Sequence, residues 1–283
     1  MPTQSTQESR AVRPAPATTP FTVDGRKVYV VDRGSGIPTL FVHGNPDSSD
    51  LWSGVISRIE GETRCVAPDL AGFGRSEANP DADLTLDGRA QWIDRLLEAL
   101  EIKGSINLVV HDLGAHFGLA WAALHGNRLR RLVISNTFFS PDYRWHAWAR
   151  VWRTPVLGEL SLAGMNWLLF KRELRRGSRN LATEQIRDAY ALFSPAMKKT
   201  ILRVYRAADP KIFAGWDERL RAVTAKVPTL VIWGEHDPYI QQRFAASFGT
   251  NNISYVPDSG HWVAAEAPAL FAKKLLEHFA EPA

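Results

Sequence analysis

The sequence predicts an α/β fold, with a mostly parallel sheet covered by helices on both faces. Three observations predict it. Several short segments, such as residues 106–111 and 229–233, are mostly apolar, as expected of strands buried on both faces. Segments with the helical spacing of apolar residues alternate with these strands. With 283 residues, of which 45% are hydrophobic and 23% charged, the chain is large enough to bury one substantial core.

The strand and helix signals follow one another along the chain. Strands are expected at residues 27–32, 39–43, 64–67, 106–111, 131–135, 229–233 and 253–256. Residues 86–100 predict an amphipathic helix, because their apolar side chains recur at helical spacing. Further helices are expected directly after residue 112 and over residues 268–279.

The chain divides into three kinds of segment: a tail, a core in two parts and a helical insertion. Residues 1–20 are rich in Thr, Ser, Gln, Pro and Ala and predict a disordered tail. Residues 21–137 and 217–283 carry the alternating strands and helices of the core. Residues 138–216 break that alternation, are helical in character and hold five of the ten tryptophans. A helical insertion between two strands predicts a cap that lies over the ends of the sheet.

Composition and charge argue against several classes of binding partner and metal site. The formal net charge of +4 is too small to favour a nucleic-acid partner. The single cysteine, Cys65, rules out an internal disulfide and a multi-cysteine metal site. No run of about 18 apolar residues occurs, and the N-terminal segment lacks the apolar core of a secretory signal. We therefore expect a cytoplasmic protein with no nucleic-acid or membrane partner; its oligomeric state stays open.

Asp112 is the most informative residue. It follows the predicted strand 106–111 and precedes the small-residue segment Leu113, Gly114 and Ala115. This strand, turn and helix pattern is typical of a nucleophile elbow, where a strained turn exposes one side chain above the sheet. A carboxylate nucleophile gains nothing by attacking an acyl carbon. At an sp3 carbon with a leaving group it forms an ester that water can cleave, so the substrate should carry a carbon–halogen or strained C–O bond.

Five motifs give the chain a family resemblance. They are His43-Gly44-Asn45-Pro46, residues 69–76 (DLAGFGRS), His111-Asp112-Leu113-Gly114, residues 233–238 (WGEHDP) and residues 259–262 (SGHW). In this order and spacing the chain resembles the α/β-hydrolases of the haloalkane dehalogenase and epoxide hydrolase group, from about residue 21 to its C-terminus. The resemblance implies a small apolar organic substrate and no cofactor or metal.

The resemblance also implies roles for individual residues. Asp112 matches the nucleophile, and His261 matches the base that activates water against the alkyl ester. Asp237 matches the acid that orients this histidine. The backbone N–H groups of Asn45 and Leu113 match the oxyanion hole, which holds the negative oxygen of the tetrahedral intermediate.

The leaving-group site departs from the dehalogenase pattern. Dehalogenases usually place a tryptophan after the nucleophile, whereas Leu113 has no side-chain donor. Asn45 matches their second halide-holding residue. We expect the missing donor to come from the cap, with Trp145, Trp148 and Tyr205 as candidates.

Two alternatives to dehalogenation stay open. Epoxide hydrolases protonate the opening ring with cap tyrosines, and Tyr205 resembles one of these, with Tyr143 or Tyr190 as its partner. A catalytically silent binding protein of the same fold is the other alternative. The intact set of Asp112, Asp237 and His261 argues against it.

Overall fold

The computed structural model describes residues 20–281. The predicted tail, residues 1–20, lies outside them except for its last residue. The strands are β1 (Phe21–Val23), β2 (Arg26–Val28), β3 (Val30–Arg33), β4 (Pro38–Val42), β5 (Arg64–Pro68), β6 (Ile106–His111), β7 (Leu129–Ser135), β8 (Thr229–Gly234) and β9 (Ile253–Val256).

Seven of these strands form one sheet in the order β3-β5-β4-β6-β7-β8-β9. Strand β3 runs antiparallel to β5, and the other neighbours are parallel. Strands β1 and β2 form a separate antiparallel pair. The central strands β6 and β8 are buried at every residue, because helices cover both faces of the sheet. The predicted fold class is confirmed.

Eleven α-helices lie within residues 20–281. Those before β7 and after the insertion pack around the sheet: α1 (Ser53–Ile59), α2 (Leu86–Ala99), α3 (Ala115–Leu124), α9 (Trp216–Thr224), α10 (Val263–Glu266) and α11 (Pro268–Ala280). Between β7 and α9 the chain forms α4 (Ala147–Arg153), α5 (Leu157–Ala163), α6 (Trp167–Gly177), α7 (Thr183–Leu192) and α8 (Pro195–Ala207). No helix in the described part of the chain is long and apolar enough to cross a bilayer.

The single strand expected over residues 27–32 is two strands in two different sheets. The interruption falls at Tyr29, whose backbone N–H donates to Ser76 Oγ at 2.9 Å instead of to a neighbouring strand. Strand β2 therefore ends at Val28 and belongs to the small sheet, while β3 begins at Val30 and joins the large one. The prediction of one continuous strand was wrong because a side-chain hydrogen bond replaces strand pairing at this residue.

Candidate active site

Asp112 lies directly after β6, at the start of one 3-10 turn (Asp112–Gly114) that leads into α3. Its φ is +47°, a left-handed conformation that costs a non-glycine residue about 1–3 kcal/mol. Thr137 Oγ1 donates to the Asp112 carbonyl oxygen at 2.7 Å. A Cβ at Gly44 would lie 2.4 Å from Asp112 Cβ, so the loop after β4 approaches the carboxylate only because residue 44 is glycine. The strained turn expected from the sequence is present.

The two carboxylate oxygens of Asp112 have different partners. The backbone N–H of Asn45 donates to Oδ2 at 2.8 Å. The other oxygen, Oδ1, lies 3.7 Å from Nε2 of His261, which is longer than a direct hydrogen bond. Leu113, whose N–H is the second expected oxyanion-hole donor, is buried next to Asp112 in the turn. One oxygen of Asp112 is thus anchored, and the other faces His261.

His261 lies between two carboxylates. Its Nδ1 is 2.8 Å from Oδ2 of Asp237, and its side chain is only 3% exposed. The other oxygen of Asp237 accepts the backbone N–H groups of Tyr239 and Ile240, at 2.8 and 3.1 Å. The loop that follows β8 therefore fixes the carboxylate that orients the imidazole ring.

Asn136 is a site residue that the sequence did not assign a role. It follows β7, and its Nδ2 donates to Oδ2 of Asp237 at 2.8 Å. Its Oδ1 accepts the backbone N–H of Gly234 at 3.1 Å. Asn45, Asp112, Asn136 and Asp237 all follow the carboxyl ends of sheet strands, which is where open α/β sheets build their ligand sites.

The charges of these groups depend on one another. Burial opposes ionisation of Asp112, but the proximity and charge of His261 and the Asn45 N–H outweigh it and lower the pKa of Asp112 below its ordinary value. Burial alone would lower the pKa of His261, but Asp237 and Asp112 together raise it to about 10. In the free protein, Asp112 is ionised and His261 carries a proton.

A cavity of about 50 Å³ opens beside Asp112 and is lined by the body and by the helical insertion. It is largely apolar, with Phe138, Met165 and Phe170 in its wall. A volume of this size has room for a few water-sized groups, because one water needs roughly 10–15 Å³.

Several side-chain donors in the wall of this cavity keep unused hydrogen-bonding capacity, among them Asn45, Trp145, Trp152 and Tyr205. Asn45 Nδ2 donates to Tyr205 Oη at 3.3 Å, which leaves the tyrosine proton free. The Trp145 ring packs 5.2 Å from the Tyr205 ring, and its Nε1 is buried with no hydrogen-bond partner among the described residues. Burying an unpaired donor costs about 1–3 kcal/mol, so these groups favour a ligand that accepts hydrogen bonds.

The structure brings together most of the expected site residues. Asn45, Asp112, Trp145, Tyr205 and His261 line the cavity, and Asp237 supports it from behind. The remaining expected or alternative residues lie elsewhere or are already bonded. Trp148 packs on Trp152 and does not line the cavity, and the side chain of Leu113 does not line it either. Tyr190 packs on Phe170. Tyr143 does line the cavity, but its hydroxyl already donates to Tyr239 O at 3.1 Å.

Two further lining residues, His146 and Tyr239, carried no role from the sequence. His146 follows Trp145 and Tyr239 lies two positions after Asp237, but only the folded chain shows that these residues share a cavity. Among residues 20–281, no group of three or more His, Cys, Asp and Glu side chains has the arrangement of a metal site.

Comparison with known proteins agrees with this geometry. Residues 38–163 match the family model described as alpha/beta hydrolase fold. The chain is 30% identical over 263 residues to the cis-3-alkyl-4-alkyloxetan-2-one decarboxylase of Shewanella oneidensis, covering 86% of this chain and 82% of that one. The chain belongs to the α/β-hydrolase superfamily.

Two further comparisons support this membership. Haloalkane dehalogenase 2 of Mycobacterium tuberculosis is 28% identical to this hydrolase over 269 residues, which are 89% of this chain and 91% of that one. The crystal structure of the haloalkane dehalogenase DatA from Agrobacterium tumefaciens superposes with a TM-score of 0.77 at 26% identity, covering 91% of this chain and 94% of that one. The hydrolase is therefore similar in both fold and sequence to haloalkane dehalogenases over about nine-tenths of its length.

Proposed function

We propose that this hydrolase cleaves a carbon–halogen bond through a covalent alkyl ester on Asp112. The observation that carries the proposal is the environment of Asp112, an ionised carboxylate that lines an apolar cavity with unpaired donors and has one oxygen anchored by the Asn45 N–H and the other 3.7 Å from His261. An aspartate in this turn suits attack at an sp3 carbon. The relatives named as haloalkane dehalogenases support a halide as the leaving group.

In the first step Oδ1 of Asp112 attacks the carbon that bears the halogen, and the carbon–halogen bond breaks as the ester bond forms. The departing halide takes the electron pair. Asn45 Nδ2, Trp145 Nε1 and the Tyr205 hydroxyl are the donors that hold it, in an apolar wall where such interactions are strong. Residues 138–216 then act as a cap, since Trp145 and Tyr205 come from this segment.

In the second step His261 acts as the general base. It accepts a proton from water at Nε2, and the resulting hydroxide attacks the ester carbon of Asp112. The tetrahedral oxyanion develops on Oδ2, where the N–H groups of Asn45 and Leu113 stabilise it. Collapse releases the alcohol and restores the carboxylate, so that the net products are an alcohol, a halide and a proton.

Formation of the ester prepares His261 for this role. The charge of Asp112 helps to hold the pKa of His261 at about 10 in the free protein. Alkylation removes that charge, so the pKa of His261 falls and the ring can lose its proton. Asp237 stays charged and keeps Nδ1 in the orientation that aims Nε2 at the ester.

The second candidate is the opening of a strained cyclic C–O bond, as in an epoxide. Tyr205 favours this ring opening. Burial raises the pKa of the Tyr205 hydroxyl well above the ordinary value, so the hydroxyl stays protonated. A protonated phenol facing the cavity is the donor that a leaving alkoxide requires. The relative named for an oxetan-2-one, a strained cyclic ester, supports the same candidate.

The covalent step is tested by intact-protein mass spectrometry after reaction with an alkyl bromide. His261→Gln should gain the mass of one alkyl group and retain it, since ester formation needs no base while hydrolysis does. Asp112→Ala should gain nothing, and His125→Gln, a matched change outside the cavity lining, should turn over like the native protein. An adduct that maps to a serine, or unchanged turnover in Asp112→Ala, would overturn the proposal.

A further inference from the structure

His146 lies in the cavity wall, immediately before α4, and plays no part in the steps proposed above. Its Nδ1 accepts the backbone N–H of Ala149 at 3.4 Å and so caps the helix. Its ring packs 5.0 Å from the Tyr239 ring and 6.4 Å from the Trp145 ring. These contacts fix the ring at one edge of the cavity.

The helix cap determines which nitrogen of His146 is the donor. Because Nδ1 accepts a hydrogen bond, the proton of the neutral ring is on Nε2. Burial, the largest influence, lowers the pKa of His146 to about 4, so the ring is uncharged near neutral pH. Nε2 has no hydrogen-bond partner within residues 20–281. The cavity wall therefore holds a neutral N–H donor that the protein does not use.

The two tyrosine hydroxyls near His146 are already bonded. The Tyr143 hydroxyl donates to Tyr239 O at 3.1 Å, and the Tyr239 hydroxyl lies 3.0 Å from Glu173 Oε1. The other neighbours in the wall, such as Phe170 and Met165, are apolar. The His146 side chain is partly exposed, so a plain alkyl chain that covered its ring would remove Nε2–H from water without giving it another acceptor, which is unfavourable.

We propose that Nε2–H of His146 is a substrate-recognition donor, so that the preferred substrate carries a hydrogen-bond-accepting oxygen, such as an ether or a carbonyl, at a fixed distance from the reacting carbon. This inference rests on the proposed function, because the reacting carbon is the one that Asp112 attacks. The donor carries no charge, so one uncharged acceptor is sufficient to pair it. In an apolar cavity, a donor held at a fixed place discriminates by position as well as by chemistry.

The test compares each n-alkyl bromide with isosteric bromides in which one methylene is replaced by an ether oxygen. Moving the oxygen along the chain should reveal one position at which the ether is preferred, by about 3- to 10-fold in kcat/KM, as expected of one neutral hydrogen bond. The preference should appear mainly in KM, because the bond forms equally in the ground and transition states.

Two variants separate recognition from folding. His146→Phe keeps the ring packing and removes the donor, while His146→Ser keeps a helix-capping side chain but is too short to reach the cavity. Both should remove the positional preference for the ether. Trp167→Phe, an aromatic change in the same helical insertion but outside the lining, should keep it.

The outcomes are distinct. Bromide release without any positional preference, or a preference that persists in both His146 variants, overturns the recognition role and leaves the proposed function intact. If no bromide is released from any compound, the proposed function fails. The same pairs are then compared by calorimetric binding to the unreacted protein, where equal affinities of ether and alkane overturn the recognition role.

Discussion

Asn136 and Asp237 are joined by a 2.8 Å hydrogen bond from the Asn136 amide to Oδ2 of Asp237. The same oxygen lies 2.8 Å from Nδ1 of His261. Asn136 is itself anchored by the Gly234 N–H and takes a φ of +39°, a conformation that asparagine tolerates better than most residues. The carboxylate cannot rotate without breaking bonds to two side chains, so Asn136 acts as a positioning residue for the orientation of His261.

Asn136→Leu should therefore slow ester hydrolysis more than ester formation. Asp112 attacks without help from Asp237, whereas His261 depends on that carboxylate for its orientation. We expect the alkyl–enzyme ester to accumulate in rapid-quench mass measurements, with hydrolysis slowed roughly tenfold. The free energy of unfolding should fall by about 2–3 kcal/mol, since a buried hydrogen bond to a charged group is lost.

Asn107→Leu is the matched control for Asn136→Leu. Asn107 is a buried asparagine on the adjacent strand β6 that donates to Thr39 Oγ1 at 3.2 Å, away from the cavity lining. The Asn107→Leu variant should have a lower free energy of unfolding but should not accumulate the alkyl–enzyme ester. Equal effects of the two changes on ester hydrolysis would assign Asn136 to folding alone.

The pH dependence of the two steps should differ. Alkylation removes the charge of Asp112, so His261 in the ester titrates below the value of about 10 that it has in the free protein. A base must be unprotonated, so hydrolysis of the ester should accelerate as the pH rises through this lower pKa. Below it, the ester should accumulate. Single-turnover mass measurements over a pH series follow both steps, and hydrolysis that is independent of pH would contradict the role of His261.

The local part of the site could be predicted from the sequence. The turn at Asp112 is encoded by neighbouring residues, an apolar strand before it and Gly114 after it, so its strained conformation follows from the pattern alone. The large sheet was predictable for the same reason, because its strands are continuous apolar segments. At Tyr29 the prediction failed, since the Ser76 hydroxyl that interrupts the strand comes from 47 positions away.

Contacts across the sheet and within the helical insertion were not predictable. Asn136 and Asp237 are 101 positions apart and meet only because β7 and β8 are neighbours. Trp145 and Trp148 are equivalent candidates in the sequence. The helix that begins after His146 turns Trp148 onto Trp152 and leaves Trp145 in the cavity wall. The directions of the Trp145 and Trp148 side chains therefore depend on the residue at which α4 begins.

A single turnover in heavy-oxygen water should label the protein and not the product. Water attacks the ester carbon of Asp112, so the oxygen that leaves with the alcohol comes from the carboxylate. Mass spectrometry of the peptide that contains Asp112 should show the label after one turnover, and the alcohol should acquire it only in later cycles. Label in the first equivalent of alcohol would mean that water attacks the substrate directly.

The leaving group should be identified by variants of Asn45, Tyr205 and Trp145. If a halide departs, Asn45→Ala should slow halide release about 100-fold, the usual effect of losing one donor to a developing anion. Trp145→Phe should act in the same direction, because it removes the unpaired N–H and keeps the ring. Ester hydrolysis should change little in Asn45→Ala, because the backbone N–H on Oδ2 of Asp112 remains.

Tyr205→Phe separates the two candidate reactions, and halide release and diol formation should be measured side by side. A departing halide needs hydrogen bonds but no proton, so the loss of the hydroxyl should slow bromide release no more than Asn45→Ala does. An alkoxide from an opening epoxide needs the proton that Tyr205 retains, and diol formation should collapse in Tyr205→Phe. Strong diol formation by the native protein that disappears in this variant, with no bromide release, would make the strained C–O bond the substrate in place of the carbon–halogen bond.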